Sequence, residues 1–189
     1  MSSLVSYIPS SCIAFNGGKD STVVLYMIID VCRQHSIAIP PCIFYDHPDE
    51  FPEVKAFVAE IVCEFSLTLY TYSCSYKESM QDISSKGIQY IFMGQRRGDP
   101  YCESLSLLQP ISYAGFEHIC RINPIFDWSY HQVWKYLTNK LVCRLYNEGY
   151  TSLGRKSKTQ KHPSLQNPDG TYQHARNLLD EHTERDCRV

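Results

Sequence analysis

Short apolar runs and helical-period segments alternate along the first half of the chain. Residues 11–15 (S-C-I-A-F) are apolar and stop at Asn16-Gly17-Gly18, which reads as a buried strand ending in a turn. Residues 22–34 follow as a helix, and residues 40–46, entered through two prolines, as a second strand. Phe51, Val54, Phe57, Val58, Ile61, Val62 and Phe65 then recur at helical spacing, predicting a second helix over 51–65. A third strand is expected over 67–72, a third helix over 76–86, and a fourth strand over 89–93 that Gly94 breaks.

This alternation implies right-handed crossovers and a mostly parallel sheet. The expected class is α/β: a single Rossmann-like domain over residues 1–189, with about five strands and helices on both faces. Such sheets bind ligands outside the carboxyl ends of their strands, near the point where strand order reverses. Three segments fall there: 16–21 after the first strand, Asp46 after the second and 94–99 after the fourth. Residues 94–119 form a long polar and aromatic loop, of a length that in a compact domain is usually functional or disordered. A fifth strand is expected near 120–122 and a helix over 129–138. From Gly149 the chain is polar, broken by Pro and Gly, and basic between Arg155 and Lys161; 149–189 reads as a C-terminal extension. There is no internal repeat.

Composition narrows the class without naming a chemistry. At 189 residues the chain suffices for one domain with a real core. With 43% hydrophobic and 20% charged residues and a net charge of -2, it reads as an ordinary soluble protein, and a nucleic-acid partner is not expected. Nine cysteines, an odd count without C-x-x-C spacing, indicate reduced thiols rather than a disulfide framework or zinc site. The first residues lack the basic and apolar regions of a signal peptide. The apolar run 23–29 is far shorter than the ~20 residues of a membrane span. A cytoplasmic protein without membrane contact is expected.

The turn Asn16-Gly-Gly-Lys-Asp-Ser21 carries the candidate chemistry. Glycines let a backbone approach an anion, successive N–H groups form a concave nest, and a helix start adds its dipole. Lys19 and Ser21 add donors, so a pyrophosphate fits. Taken alone, the same turn is also a structural βα connection with Asp20 and Ser21 capping the helix. The Walker pattern fails, with Ile13 and Asp20 where Gly and Ser/Thr are needed, and so does G-x-G-x-x-G. The remaining pattern, S/N-G-G-x-D-S, resembles the PP-loop of the ATP pyrophosphatase superfamily, which cleaves ATP between its α and β phosphates.

Further segments resemble eukaryotic FAD synthases (FMN adenylyltransferases). Gly94-Gln-Arg-Arg-Gly-Asp-Pro-Tyr101 is similar to their G-x-R-R-x-D-P-Y, and Arg121-Ile-Asn-Pro-Ile-Phe-Asp-Trp128 to R-I-N-P-L-x-D-W. Tyr146-x-x-Gly-Tyr-Thr-Ser-Leu-Gly154 is similar to Y-x-x-G-Y-T-S-L-G, and Glu184-Arg-Asp-Cys-Arg188 to E-R-x-x-R. The resemblance implies an adenine nucleotide alpha hydrolase-like fold and the reaction FMN + ATP → FAD + pyrophosphate. The ionised FMN phosphate is itself the nucleophile, so the protein must align phosphates and neutralise charge.

On that reading Gly17, Gly18, Lys19 and Ser21 cradle pyrophosphate, and Asn16 and Asp20 are assigned to Mg²⁺. Asp46 lies near the adenosine, and Gly94 belongs to the nucleotide site. Lys19, Asp20, Arg96 and Asp99 are the catalytic set. Arg97, Asp99 and Arg121 meet the flavin or its phosphate, and Arg185 and Arg188 return over the flavin ring. Where many members carry Asp-x-x-Trp-Pro, this chain has Pro110-Ile-Ser-Tyr-Ala-Gly-Phe116, which makes Phe116 the apolar wall of the flavin pocket and leaves no aligned aspartate. The first strand begins almost at once, without the helical extension of yeast-type relatives. Handover of FAD to apo-flavoproteins is an expected partnership. Two alternatives stand beside this reading. One is a sulfonucleotide reductase, which would need a nucleophilic cysteine where this chain has Cys187. The other is a flavin- or nucleotide-binding module without catalysis.

Overall fold

In a computed structural model that describes residues 2–100, 102 and 106–189, six strands form one sheet. They are β1 (Ser11–Ala14), β2 (Cys42–Tyr45), β3 (Leu69–Tyr72), β4 (Tyr90–Phe92), β5 (Leu108–Pro110) and β6 (Cys120–Ile122). The helices are α1 (Lys19–His35), α2 (Pro52–Glu64), α3 (Tyr76–Ser85) and α4 (Tyr130–Tyr136). The strand order is β3-β2-β1-β4-β6-β5, and every pairing is parallel except β5 with β6. Order therefore reverses between β1 and β4, where Cys12 pairs with Ile91.

Period-two alternation puts each strand's side chains into two cores. Ile13, Phe44, Phe92 and Ile122 join the buried faces of α1, α2 and α4. Cys12, Ile43 and Ile91 point the other way, toward Met80 and Ile83 of α3 and toward Ile111, Phe116 and Ile119. Helices thus cover both faces, as the pattern predicts.

Local chemistry fixes the helix ends. Ser75 with Glu78 and Ser129 with Gln132 make reciprocal capping boxes at the starts of α3 and α4. Pro52 opens α2, where its missing N–H costs nothing. Helix α1 closes on Ser36 in the left-handed region, with Arg33 and His35 in its last turn.

Three features depart from the sequence expectation. The sheet has six strands rather than about five, because β5 pairs antiparallel to β6 from inside the long loop. Proline at position 110 is tolerated there, since β5 is an edge strand. Helix α1 starts at Lys19, not at residue 22, so Lys19, Asp20 and Ser21 form its first turn. Finally, Ser2–Ser10 is a 3-10 helix leading into β1. Tyr101, the last residue of the G-x-R-R-x-D-P-Y segment, lies outside the described residues.

Candidate active site

The βα turn is locked by its own side chains. Gly17 sits at φ 73°, a conformation that favours glycine, and a Cβ there would meet Val54 of α2 at 3.2 Å. Asn16 Oδ1 accepts from the Gly18 N–H at 3.0 Å and lies 2.7 Å from Ser21 Oγ. Gly18 is the N-cap of α1 and offers no side chain to it. The first N–H groups of a helix have no carbonyl a turn behind them; that of Lys19 donates to the Tyr146 hydroxyl at 2.7 Å.

Gly94 ends β4 directly against this turn. A Cβ on Gly94 would lie 2.6 Å from the Asp20 carbonyl carbon and 2.7 Å from the Ser21 nitrogen. The close approach brings residues 95–99 alongside the start of α1.

Two cations and two carboxylates form a closed ring at that point. Lys19 Nζ contacts Asp20 Oδ2 at 3.0 Å and also Glu184 Oε1. Arg96 Nε lies 2.8 Å from Asp20 Oδ1, and its Nη2 contacts Glu184 Oε2. Lys19, Arg96 and Glu184 are all nearly inaccessible to solvent. Burial alone would raise the Asp20 carboxyl, but Lys19 and Arg96 outweigh it and hold Asp20 below its ordinary value of 3.8. The Asp20 carboxylate in turn lifts Arg96 above its usual value, against the opposing effect of burial. A second pair adjoins the ring: Asp99 Oδ2 accepts from the Arg96 N–H at 2.9 Å, and Asp99 Oδ1 accepts from Arg185 at 2.6 Å.

A cavity of about 450 Å³ opens over these groups at the switch point. Its wall includes Asn16, Gly18, Lys19, Asp20 and Ser21 from the turn, and Gly94 and Asp99 beyond β4. Arg185 and Arg188 reach it from the chain's far end. Nine residues singled out from sequence thus share one cavity, and Arg96 stands behind it through Asp20.

Five others do not line it. The Gly17 Cα faces α2, and Asp46 pairs with Lys55 at 2.5 Å beside the cavity. Arg97 points to solvent, paired with Asp127 and lying over the Phe126 ring. Phe116 is buried in the core on the α3 face, against Tyr113, and forms no wall of this cavity. Arg121 approaches it only through Gln95, whose Oε1 is 3.4 Å from an Arg121 nitrogen.

Residues with no prior assignment complete the wall, among them Tyr45, Glu50, Gln95 and Tyr146. Tyr146 and Glu184 do belong to segments whose likeness to the family was legible, so a signal for both existed. Burial raises the Glu50 carboxyl.

Divalent magnesium takes oxygen ligands. Asp20 Oδ1 is buried and accepts no hydrogen bond, because the Arg96 N–H near it is misaligned; this oxygen suits a cation. Asn16 Oδ1 does not, since the Gly18 N–H and the Ser21 hydroxyl already occupy it. Among the described residues no group of three or more His, Cys, Asp or Glu converges on a metal position.

Comparison with known proteins agrees with this geometry. The phosphoadenosine phosphosulfate reductase domain family matches residues 10–88 and 70–161. The probable FAD synthase of Schizosaccharomyces pombe is 38% identical over 183 residues, covering 91% of this chain and 69% of that protein. The chain belongs to the FAD synthase family. A probable FAD synthase of Caenorhabditis elegans is 30% identical over 81% of this chain, which spans only 31% of that longer protein. The fold of this family member superposes on the crystal structure of Candida glabrata FMN adenylyltransferase with a TM-score of 0.85, covering 98% of this chain and 82% of that one at 22% identity.

The reductase alternative lacks its nucleophile. Cys187 is fully buried, and its thiol donates to the Ser152 carbonyl at 3.3 Å. A thiol held this way packs as a small hydrophobe and is closed to substrate.

Proposed function

We propose that the chain transfers the AMP moiety of ATP to the phosphate of FMN, giving FAD and pyrophosphate. The observation that carries this reading is that the 16–21 turn and the two arginines of the E-R-x-x-R segment line a single cavity. A nucleotide's phosphates and a flavin would meet there.

In this reading the start of α1, with Gly18 and Ser21, holds the leaving pyrophosphate. Lys19 and Arg96 offset the charge that develops on the phosphates, and Asp20 fixes both. The FMN phosphate attacks without help from a side-chain nucleophile. Arg185 and Arg188 cover the flavin, with Asp99 orienting Arg185. Arg121 acts through Gln95. Asp20 rather than Asn16 would hold a Mg²⁺ bound with ATP, which would supply further neutralisation of the phosphate charge. Asp46 steadies the end of β2 near the adenosine through Lys55. Within the described residues no helix is long and apolar enough to cross a membrane. On this reading FAD is made in the cytoplasm and passes on to apo-flavoproteins.

The test is direct. Purified protein with FMN, MgATP and inorganic pyrophosphatase is expected to accumulate FAD, followed by chromatography, and Asp20→Ala to abolish it. FMN uptake without FAD would make the chain a flavin-binding module. Absence of FMN binding would refute the assignment.

A further inference from the structure

The ring of four charges gives Glu184 a position that no sequence assignment covers. Each of its carboxylate oxygens meets a different cation, Oε1 Lys19 and Oε2 Arg96. Asp20 closes the ring from the other side, so each cation is held between the same two carboxylates. Glu184 itself is anchored by backbone: its carbonyl accepts from the buried Thr151 hydroxyl at 2.7 Å, and its N–H donates to the Glu181 carbonyl at 3.3 Å. Arg185, which lines the cavity, is the next residue.

We infer that Glu184 is a positioning residue for the phosphates, fixing the Lys19 ammonium and the Arg96 guanidinium so that they face the α1 turn in one geometry. This rests on the phosphate reading of the turn. A cation with one counter-charge swings about it; a cation between two is fixed in place. The second carboxylate also carries a cost. Two positive and two negative charges leave the ring neutral, so the ring attracts phosphate less than Lys19 and Arg96 would with Asp20 alone. Glu184 therefore trades affinity for alignment, and the two effects separate experimentally.

Glu184→Gln keeps the shape and removes the charge. It is expected to lower the KM for MgATP, and the Kd of inorganic pyrophosphate by calorimetry, by about two- to fivefold, the order expected for removing one charge several ångströms from an anion. The same variant is expected to lower kcat by about 100-fold, because both cations lose their alignment. Thr151→Val loosens the anchor without changing charge; its kcat is expected to fall with KM unchanged. A merely structural Glu184 would reduce thermal stability and the active fraction in Glu184→Gln and leave KM and Kd where they were, which would overturn the inference. Should Glu184→Gln fail to fold, Thr151→Val decides alone, and an unchanged kcat there overturns the inference. The pyrophosphate titration needs no turnover. A parent protein that binds pyrophosphate but makes no FAD would sink the proposed reaction and leave the Kd comparison standing. A parent that binds no pyrophosphate would sink both.

Discussion

The Tyr146 hydroxyl accepts the backbone N–H of Lys19 at 2.7 Å, across 127 positions of sequence. Tyr146 is 1% exposed, and burial drives its phenol well above the ordinary value of 10.0, so the hydroxyl keeps its proton. One N–H of the α1 start is thereby taken by protein, and the turn is tied to the 146–154 segment. Tyr146→Phe strands that N–H in a dry site. Its unfolding free energy is expected to fall by about 1–3 kcal/mol, read by denaturant titration. An unchanged midpoint would mean that water replaces the phenol.

Gly94→Ala tests the contact between β4 and the turn. Its Cβ would enter within 3 Å of the Asp20 carbonyl and the Ser21 nitrogen, both backbone atoms that cannot swing aside. The α1 start has to shift by several tenths of an ångström. A loss of about 100-fold in kcat/KM for ATP is expected, with the circular dichroism of the native fold. Full activity would show that the turn tolerates displacement.

Arg97→Ala offers the contrasting case. Its guanidinium is 63% exposed and its partner Asp127 is 72% exposed, and it lines no part of the cavity. Exposed pairs contribute little, so stability should change by less than about 1 kcal/mol and FAD formation by less than about twofold. A large loss of turnover would restore Arg97 to the flavin site and imply that the 94–119 segment moves.

Acid sensitivity should come in two stages. His174 packs against Trp134 and accepts the Arg176 N–H on Nδ1 at 2.8 Å, which needs the neutral ring. Burial, then the Arg176 cation, lowers it to about 4 from 6.5. Its contribution to stability is complete above pH 6.5 and is lost as pH falls toward 4, because the unfolded chain takes the proton first. Asp20 acts further down: its stabilisation is complete above 3.8 and disappears as pH drops below that value. Thermal midpoints against pH should show both stages, and His174→Gln should flatten the upper one alone.

Most of the fold was legible because β1, β2 and β4 are mostly buried, apolar and bounded by breaks. The strand β5 was not. Leu108 and Pro110 are exposed on an edge, so their side chains carry no burial pattern. The phosphate turn was legible from its own six residues. Phe116 shows the limit of a position-by-position transfer. An apolar residue in the 94–119 segment can join the core on the α3 face as readily as line the cavity, which borders that core at Ile43 and Met93, and only packing decides. Glu184 lay in a recognised segment yet went unassigned, since a lone carboxylate says nothing of its partners until Lys19 and Arg96, 165 and 88 positions away, are brought to it.

The ring that joins Lys19, Arg96 and Glu184 also makes this site the last part of the molecule to be completed. Glu184 meets groups that lie 165 and 88 positions earlier, so both cations gain their second counter-charge only when the C-terminal segment docks. A chain clipped ahead of Glu184 would leave Lys19 and Arg96 with Asp20 alone, and is expected to be both less stable and inert.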